Sequence, residues 1–338
     1  MTNSTHKVEV FKVGELTKHP NADSLSILMV FDNYQTVVRT SDFIPGDLAC
    51  YIPPDNIVPD TPQFEFLKGH RHIKAAKLRG IMSQGLVLAA PAGSKEGDDV
   101  AEQLGVIHYV PPVQGAGEFI EDPPFGGEHY DIDTWFRYSH LIPDGTPIEI
   151  TEKLDGSNTR ASYQDGQFWM GSKEHYRKQE KNTLYWRVLE ENLWLEVLCQ
   201  QNPNAVVYGE VFGKVQKTKY AATSNQIFFR IFDIMTPKGY MSHEDKVAVI
   251  KQAVATAQDN KVVSSDLKWE DCYAPILYVG PYSAQVINDL MNGPSVIPGA
   301  KNLREGIVIK PLTEMWSPEI GRLILKAVSP KKLAEDKG

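Results

Sequence analysis

From residue 7 to residue 110 apolar side chains recur at every second position in short runs: Val8, Val10 and Val13, then Leu25, Ile27 and Met29, then Thr36 to Val38, then Leu48 to Ile52. Successive side chains of an extended chain point to opposite faces, so this period predicts short strands, each with one buried face. Between the runs stand His19-Pro20-Asn21-Ala22-Asp23 and Pro45-Gly46-Asp47, residue types that suit tight turns. The pattern predicts a small β-barrel over residues 1–110.

Residues 111–127 break the pattern. Pro111-Pro112, Pro123-Pro124 and Gly126-Gly127 crowd a stretch of little periodicity, which reads as a linker. Beyond it, over residues 128–338, helical and extended signals mix. Ser242 is a plausible cap for a helix over Met241 to Asn260 with Val247, Ile250 and Val254 on one face, and a longer helix is predicted from Asn182 to Gln200. Strands are predicted at Ala205 to Tyr208, Ile227 to Ile234, Gly306 to Ile309 and Leu323 to Leu325. The expected class is α+β: antiparallel sheets and helices preceded by the barrel.

Composition adds boundaries. A chain of 338 residues with 42% hydrophobic content can bury cores for two domains. No stretch reaches the roughly 18 uninterrupted apolar residues of a membrane helix, and the polar start Met1 to Glu9 lacks a signal-peptide core. Cys50, Cys199 and Cys272 are odd in number and widely spaced, which suggests neither a disulfide framework nor a zinc site. A cytoplasmic monomer is the expectation. The net charge of −8 argues against a surface that coats nucleic acid generally. Such a partner must be met by local runs, Arg71 to Arg79 or Lys173 to Lys181, although a solvated charged face is the ordinary meaning of either run alone.

The candidate chemistry begins at Thr151-Glu152-Lys153-Leu154-Asp155-Gly156-Ser157-Asn158. A lysine, a spacer and Asp-Gly fit a strand entering a turn, where glycine lets backbone approach a ligand closely. Alone it more often marks a turn after a surface lysine. Downstream, however, follow Tyr208-Gly209-Glu210, Phe232-Asp233, Glu305-Gly306-Ile307-Val308-Ile309-Lys310 and Leu323-Ile324-Leu325-Lys326. In a strand Gly306, Val308 and Lys310 share one face and Glu305, Ile307 and Ile309 the other.

In its order and spacing the series resembles the nucleotidyltransferase motifs shared by ATP-dependent ligases and mRNA capping enzymes: KxDG at Lys153, the glutamate motif at Glu210, the aromatic-Asp motif at Phe232, EGxVIK at Glu305 and the final lysine motif at Lys326. Gly213-Lys214-Val215-Gln216-Lys217, and Gly-Ser-Asn after Asp155, are similar to segments of phage T4-type nick-sealing RNA ligases. DNA ligases and capping enzymes continue past the final lysine into an OB domain with one more motif, absent here. The extra module is N-terminal instead. His19 to Asp23 resembles the tRNA-binding OB modules of phenylalanyl-tRNA synthetase type, while Leu78-Arg79-Gly80 and Ser83-Gln84-Gly85-Leu86 are similar to the N-terminal domain of Deinococcus-type RNA ligases.

The resemblance implies an ATP-dependent RNA ligase with an N-terminal OB-like domain, which carries AMP on Lys153, passes it to an RNA 5′-phosphate and seals with a 3′-hydroxyl, as in a nicked duplex. It implies ATP and Mg²⁺ (or Mn²⁺), with Glu210 and Glu305 at the metal. Lys310 and Lys326 would act with Lys153, disfavouring its protonation and neutralising phosphate. Glu152, Asp155, Gly156, Asn158 and Lys173 would contact the nucleotide, Phe232 would stack on adenine, and Arg71, Arg79 and Lys217 would meet RNA. Two departures stand out: Ile324 occupies the place of a second final lysine, and the usual Ser-Arg becomes Ser172-Lys173, with Arg177 as an alternative. A capping-type GTP transferase and a non-catalytic OB-type RNA-binding protein are the competing readings.

Overall fold

The computed structural model describes residues 7–31, 33–109 and 115–335. The alternating N-terminal runs form short antiparallel sheets. Glu9–Lys12, Leu48–Ile52 and Leu86–Ala89 make one, Leu16–Lys18, Leu25–Val30 and Tyr34–Arg39 another, and the short pairs Asn56–Ile57, His72–Ile73 and Ile107–His108 a third. Val10, Cys50, Ile52 and Leu28 are fully buried, so apolar burial holds the module. In Leu25–Val30 the inward face is Ser26, Leu28 and Val30, opposite to the one suggested by Leu25, Ile27 and Met29. Ser26 is tolerated inside because its hydroxyl bonds that of Thr40 at 2.8 Å.

Two expected motifs of this module hold each other. His19 Nε2 meets the Leu78 carbonyl at 3.1 Å, and Asn21 Nδ2 donates to the Arg79 carbonyl at 2.9 Å. The module docks on the short helix Trp135–Tyr138: Asn33 Nδ2 donates to Phe136 O at 2.7 Å, the Tyr34 and Phe136 rings lie 5.5 Å apart, and Arg137 pairs with Glu9.

The remainder is built on two sheets. One has seven strands in the order Phe119–Ile120, Tyr176–Arg177, Gln167–Ser172, Ser157–Gln164, Val206–Gly213, Ile227–Thr236, Gly239–Tyr240. The other has five: Asp133–Thr134, Leu325–Val328, Gly306–Pro311, Pro147–Lys153, Ile276–Pro281. All pairings are antiparallel except the short one between Asp133–Thr134 and Leu325–Lys326. Phe119–Ile120, inside the stretch read as linker, is thus an edge strand of the larger sheet; Pro111-Pro112 lie outside the described residues.

Helices Leu184–Glu191, Leu193–Gln201 and His243–Asp259 cover the larger sheet through Val188, Leu195, Leu198, Ile250 and Val254. The single helix expected from Asn182 to Gln200 is broken at Asn192, whose φ of −130° and ψ of 71° leave the helical region. Asn192 Nδ2 instead caps the Val188 carbonyl at 2.8 Å, a competition typical of asparagine. The last strand also shifts, running Leu325–Val328 because Leu323 N–H is bound to Met315 O across a preceding hairpin. Cys50, Cys199 and Cys272 are buried free thiols. No helix among the described residues is long and apolar enough to cross a membrane.

Candidate active site

The chain passes from the smaller sheet to the larger through the turn that follows Lys153. That turn is tight: a Cβ on Gly156 would sit 2.1 Å from the Val211 carbonyl oxygen, so only glycine lets the turn lie against the Val206–Gly213 strand. Asp155 is held from two sides, its N–H donating to Tyr220 Oη at 2.7 Å and its carboxylate accepting from Thr218 Oγ1.

Between the sheets opens a cavity of about 250 Å³. Lys153, Lys310, Lys326, Glu152, Asn158, Lys173, Glu210 and Phe232 line it. Pairing explains the convergence: Lys153 stands opposite Gly306, Glu149 opposite Lys310 and Val308 opposite Lys326, while Asn158 stands opposite Glu210 across the other sheet. Alternation in Gly306–Pro311 sends Val308 and Lys310 to the cavity and buries Ile307 and Ile309 in the core behind. Lys173 lines the cavity and pairs with Asp131 at 2.5 Å, whereas Arg177 turns to the Gly117 carbonyl and the Tyr185 ring. Arg71, Arg79 and Lys217 are exposed and do not line the cavity.

The electrostatics correct one expectation. Lys153 Nζ donates to Glu305 Oε1 at 2.7 Å. Burial alone would depress this ammonium, but Glu305, Glu210 and Asp155 outweigh it and raise its pKa. Lys326 is depressed to about 8 by burial and by the charge of Lys153. Lys310 is depressed to about 7, first by burial, and its Nζ is engaged 2.5 Å from Asp233. The lysines do converge, yet the neighbouring carboxylates keep Lys153 charged.

Those carboxylates carry a surplus. Glu210 is pushed up to about 8 by burial and by Glu305 and Asp155, and Glu305 Oε2 is buried with no hydrogen-bond partner. No group of three or more His, Cys, Asp or Glu that could hold a metal by protein ligands alone occurs among the described residues. Two converging carboxylates nevertheless fit Mg²⁺ or Mn²⁺ bound in part by phosphate oxygens, the usual mode at nucleotide sites.

Behind the cavity lies a hub that motif reading did not reveal. Asp233 is fully buried and accepts from Lys246 at 3.1 Å, Lys310 at 2.5 Å, Arg322 at 2.7 Å and the Tyr130 hydroxyl at 2.7 Å. Burial would raise its pKa, but the three cations hold it well below the usual carboxylate range. Lys246 had a readable signal: it falls four residues before Ile250 and eight before Val254, on the apolar stripe, and a lysine there needs a buried partner. Arg322 had none, because only the Trp316–Ser317/Gly321–Arg322 hairpin brings it there.

Comparison with known proteins follows the same division. A model of the RNA ligase family matches residues 146–328, and an OB-fold domain model matches residues 7–90. A Naegleria gruberi RNA ligase variant solved without ligand is 25% identical, with a TM-score of 0.81, covering 98% of both chains. Another variant of that enzyme, solved with AMP and Mn, is 25% identical with a TM-score of 0.80 and covers 98% of this chain and 99% of its own. The phenylalanine–tRNA ligase β subunits of Chlamydia abortus and Chlamydia caviae are 29% and 30% identical over 153 and 130 residues. These matches span only 17% and 14% of the length of those subunits.

Proposed function

Because the chain belongs to the RNA ligase family, we propose that its cavity carries out ATP-dependent sealing of RNA ends through an AMP held covalently on Lys153. The observation that supports this most directly is the meeting of Lys153, Lys310, Lys326, Glu210 and Phe232 at one cavity from five separate strands. Family membership speaks against the capping-type and non-catalytic readings.

Lys153 Nζ attacks the α-phosphorus of ATP, forming an N–P bond as the bond to pyrophosphate breaks. The attacking amine must be neutral. Glu305 Oε1 accepts a hydrogen bond from Lys153 Nζ and is placed to take its proton; with Glu305 neutralised in that way, burial and Lys326 favour the free amine. Lys310 and Lys326 face the phosphates and offset their charge. Phe232 stacks on adenine, Glu152 contacts the base, and Asp155, Gly156, Asn158 and Lys173 position ribose and phosphate. Glu210 and Glu305 would hold the divalent ion, which would supply further charge neutralisation at the phosphates and the leaving group.

An RNA 5′-phosphate oxygen then takes the AMP from Lys153, and a 3′-hydroxyl attacks that phosphate and releases AMP. We read the substrate as a nicked RNA duplex, with Arg71, Arg79 and Lys217 meeting its backbone, and the protein as a cytoplasmic monomer. The test uses a nicked duplex whose 3′ end lacks its hydroxyl. The expected result is accumulation of the AMP-capped 5′ strand; sealing reactions that never yield a capped strand would contradict the scheme.

A further inference from the structure

Two residues before Phe232, on the same face of its strand, stands Arg230. It lines the nucleotide cavity and also a neighbouring one of about 280 Å³ bounded by Trp269, Asp271 and Pro275. Backbone bonds fix what lies beside it. Ile231 N–H donates to Cys272 O at 2.8 Å, Ala274 N–H to Ile231 O at 2.7 Å and Glu152 N–H to Pro275 O at 2.8 Å. This lacing makes Arg230, Ala274 and Glu152 one continuous wall of the cavity.

The wall carries two complementary polar atoms without partners in the protein. Glu152 Oε2 accepts from Val296 N–H at 2.8 Å and Ser295 stands beside the same carboxylate, whose Oε1 is buried without a well-formed hydrogen bond. Arg230 keeps one end of its guanidinium 3.6 Å from Asp271, while its Nε–H is buried and unbonded. Buried polar groups left unpaired cost about 1–3 kcal/mol each, so a ligand that satisfies both is favoured.

We propose that Arg230 is a specificity-determining residue, donating a hydrogen bond to N1 of the adenine stacked on Phe232 while Glu152 Oε1 accepts from the 6-amino group. This rests on the reading of the cavity as an ATP site and assigns the purine. Adenine presents a donor at position 6 and an acceptor at position 1. Guanine reverses both: its O6 faces a carboxylate oxygen, and its N1–H faces the arginine.

The experiment compares self-labelling of the full-length protein by ATP, 1-deaza-ATP and 7-deaza-ATP, for wild type and Arg230→Met. 1-Deaza-ATP keeps the amino group and the stacking surface but replaces N1 with carbon. Wild type is expected to prefer ATP to 1-deaza-ATP by roughly tenfold to a hundredfold in kcat/KM, the worth of a hydrogen bond to a charged group, and to treat 7-deaza-ATP like ATP. Arg230→Met should use ATP and 1-deaza-ATP equally well. A wild type indifferent to N1, or a methionine variant that still discriminates fully, overturns the proposal. Should that variant fail to fold, Arg230→Lys takes its place: discrimination reduced several-fold supports the proposal, and undiminished discrimination overturns it. A wild type that takes no label from ATP overturns instead the reading beneath it.

Discussion

Lys153 Nζ rests 2.7 Å from Glu305 Oε1, so the proposed nucleophile waits as half of an ion pair. In the proposed scheme Glu305 has two tasks, accepting the hydrogen bond and then the proton of Lys153 and helping to hold the divalent ion. Glu305→Gln keeps the shape and loses both. Self-adenylylation in that variant is expected to fall on the order of a hundredfold or more, read as the single-turnover rate at saturating ATP. A rate near that of wild type would remove Glu305 from the chemistry.

Asp233 balances three buried cations. Asp233→Asn leaves them uncompensated, and urea denaturation at pH 7 is expected to show a loss of about 3–5 kcal/mol. The folded-state pKa is depressed, so the stabilisation is fully present above the unfolded value near 3.9 and is lost as pH falls below it. The gap between wild type and variant should therefore narrow on acidification below about pH 4. A gap independent of pH there would mean that Asp233 does not act through its charge.

Ile324 stands where the motif resemblance implies a second lysine, and only 4% of its surface is exposed. Ile324→Lys would bury an ammonium at a position built for an uncharged side chain, at a cost on the order of 3 kcal/mol. The expected outcome is a lower Tm with no gain in adenylylation. A variant as stable as wild type and faster with ATP would show that a lysine at this position serves the site.

Arg71 and Arg79 are exposed on the N-terminal module, outside the cavity. If they meet RNA phosphates, each change to alanine should reduce the slope of log binding constant against log salt by about 1 for nicked RNA. Labelling by ATP should be unaffected. An unchanged slope would assign the module some other task.

Much of this was legible in the sequence because local rules and the global fold agree. Period-two runs became strands, Ser242 caps its helix by accepting from Asp245 N–H, and alternation in Gly306–Pro311 correctly divided Val308 and Lys310 from Ile307 and Ile309. What was not legible depends on pairs distant in the chain. The resting charge of Lys153 is set by Glu305, 152 residues away, and the engagement of Lys310 by Asp233, 77 residues away. Proximity of lysines suggested a depressed amine; only the fold reveals how near the carboxylates stand. Arg230 likewise reads as an ordinary strand residue until Cys272 to Pro275 bring it beside Glu152.

The most direct measurement is incubation of the wild-type protein with α-labelled ATP and Mg²⁺, followed by denaturing electrophoresis and peptide mapping. Label should stay with the protein, map to the peptide containing Lys153, and disappear in Lys153→Ala. Wild type that remains unlabelled, or label that persists in Lys153→Ala, would contradict a covalent AMP on this lysine.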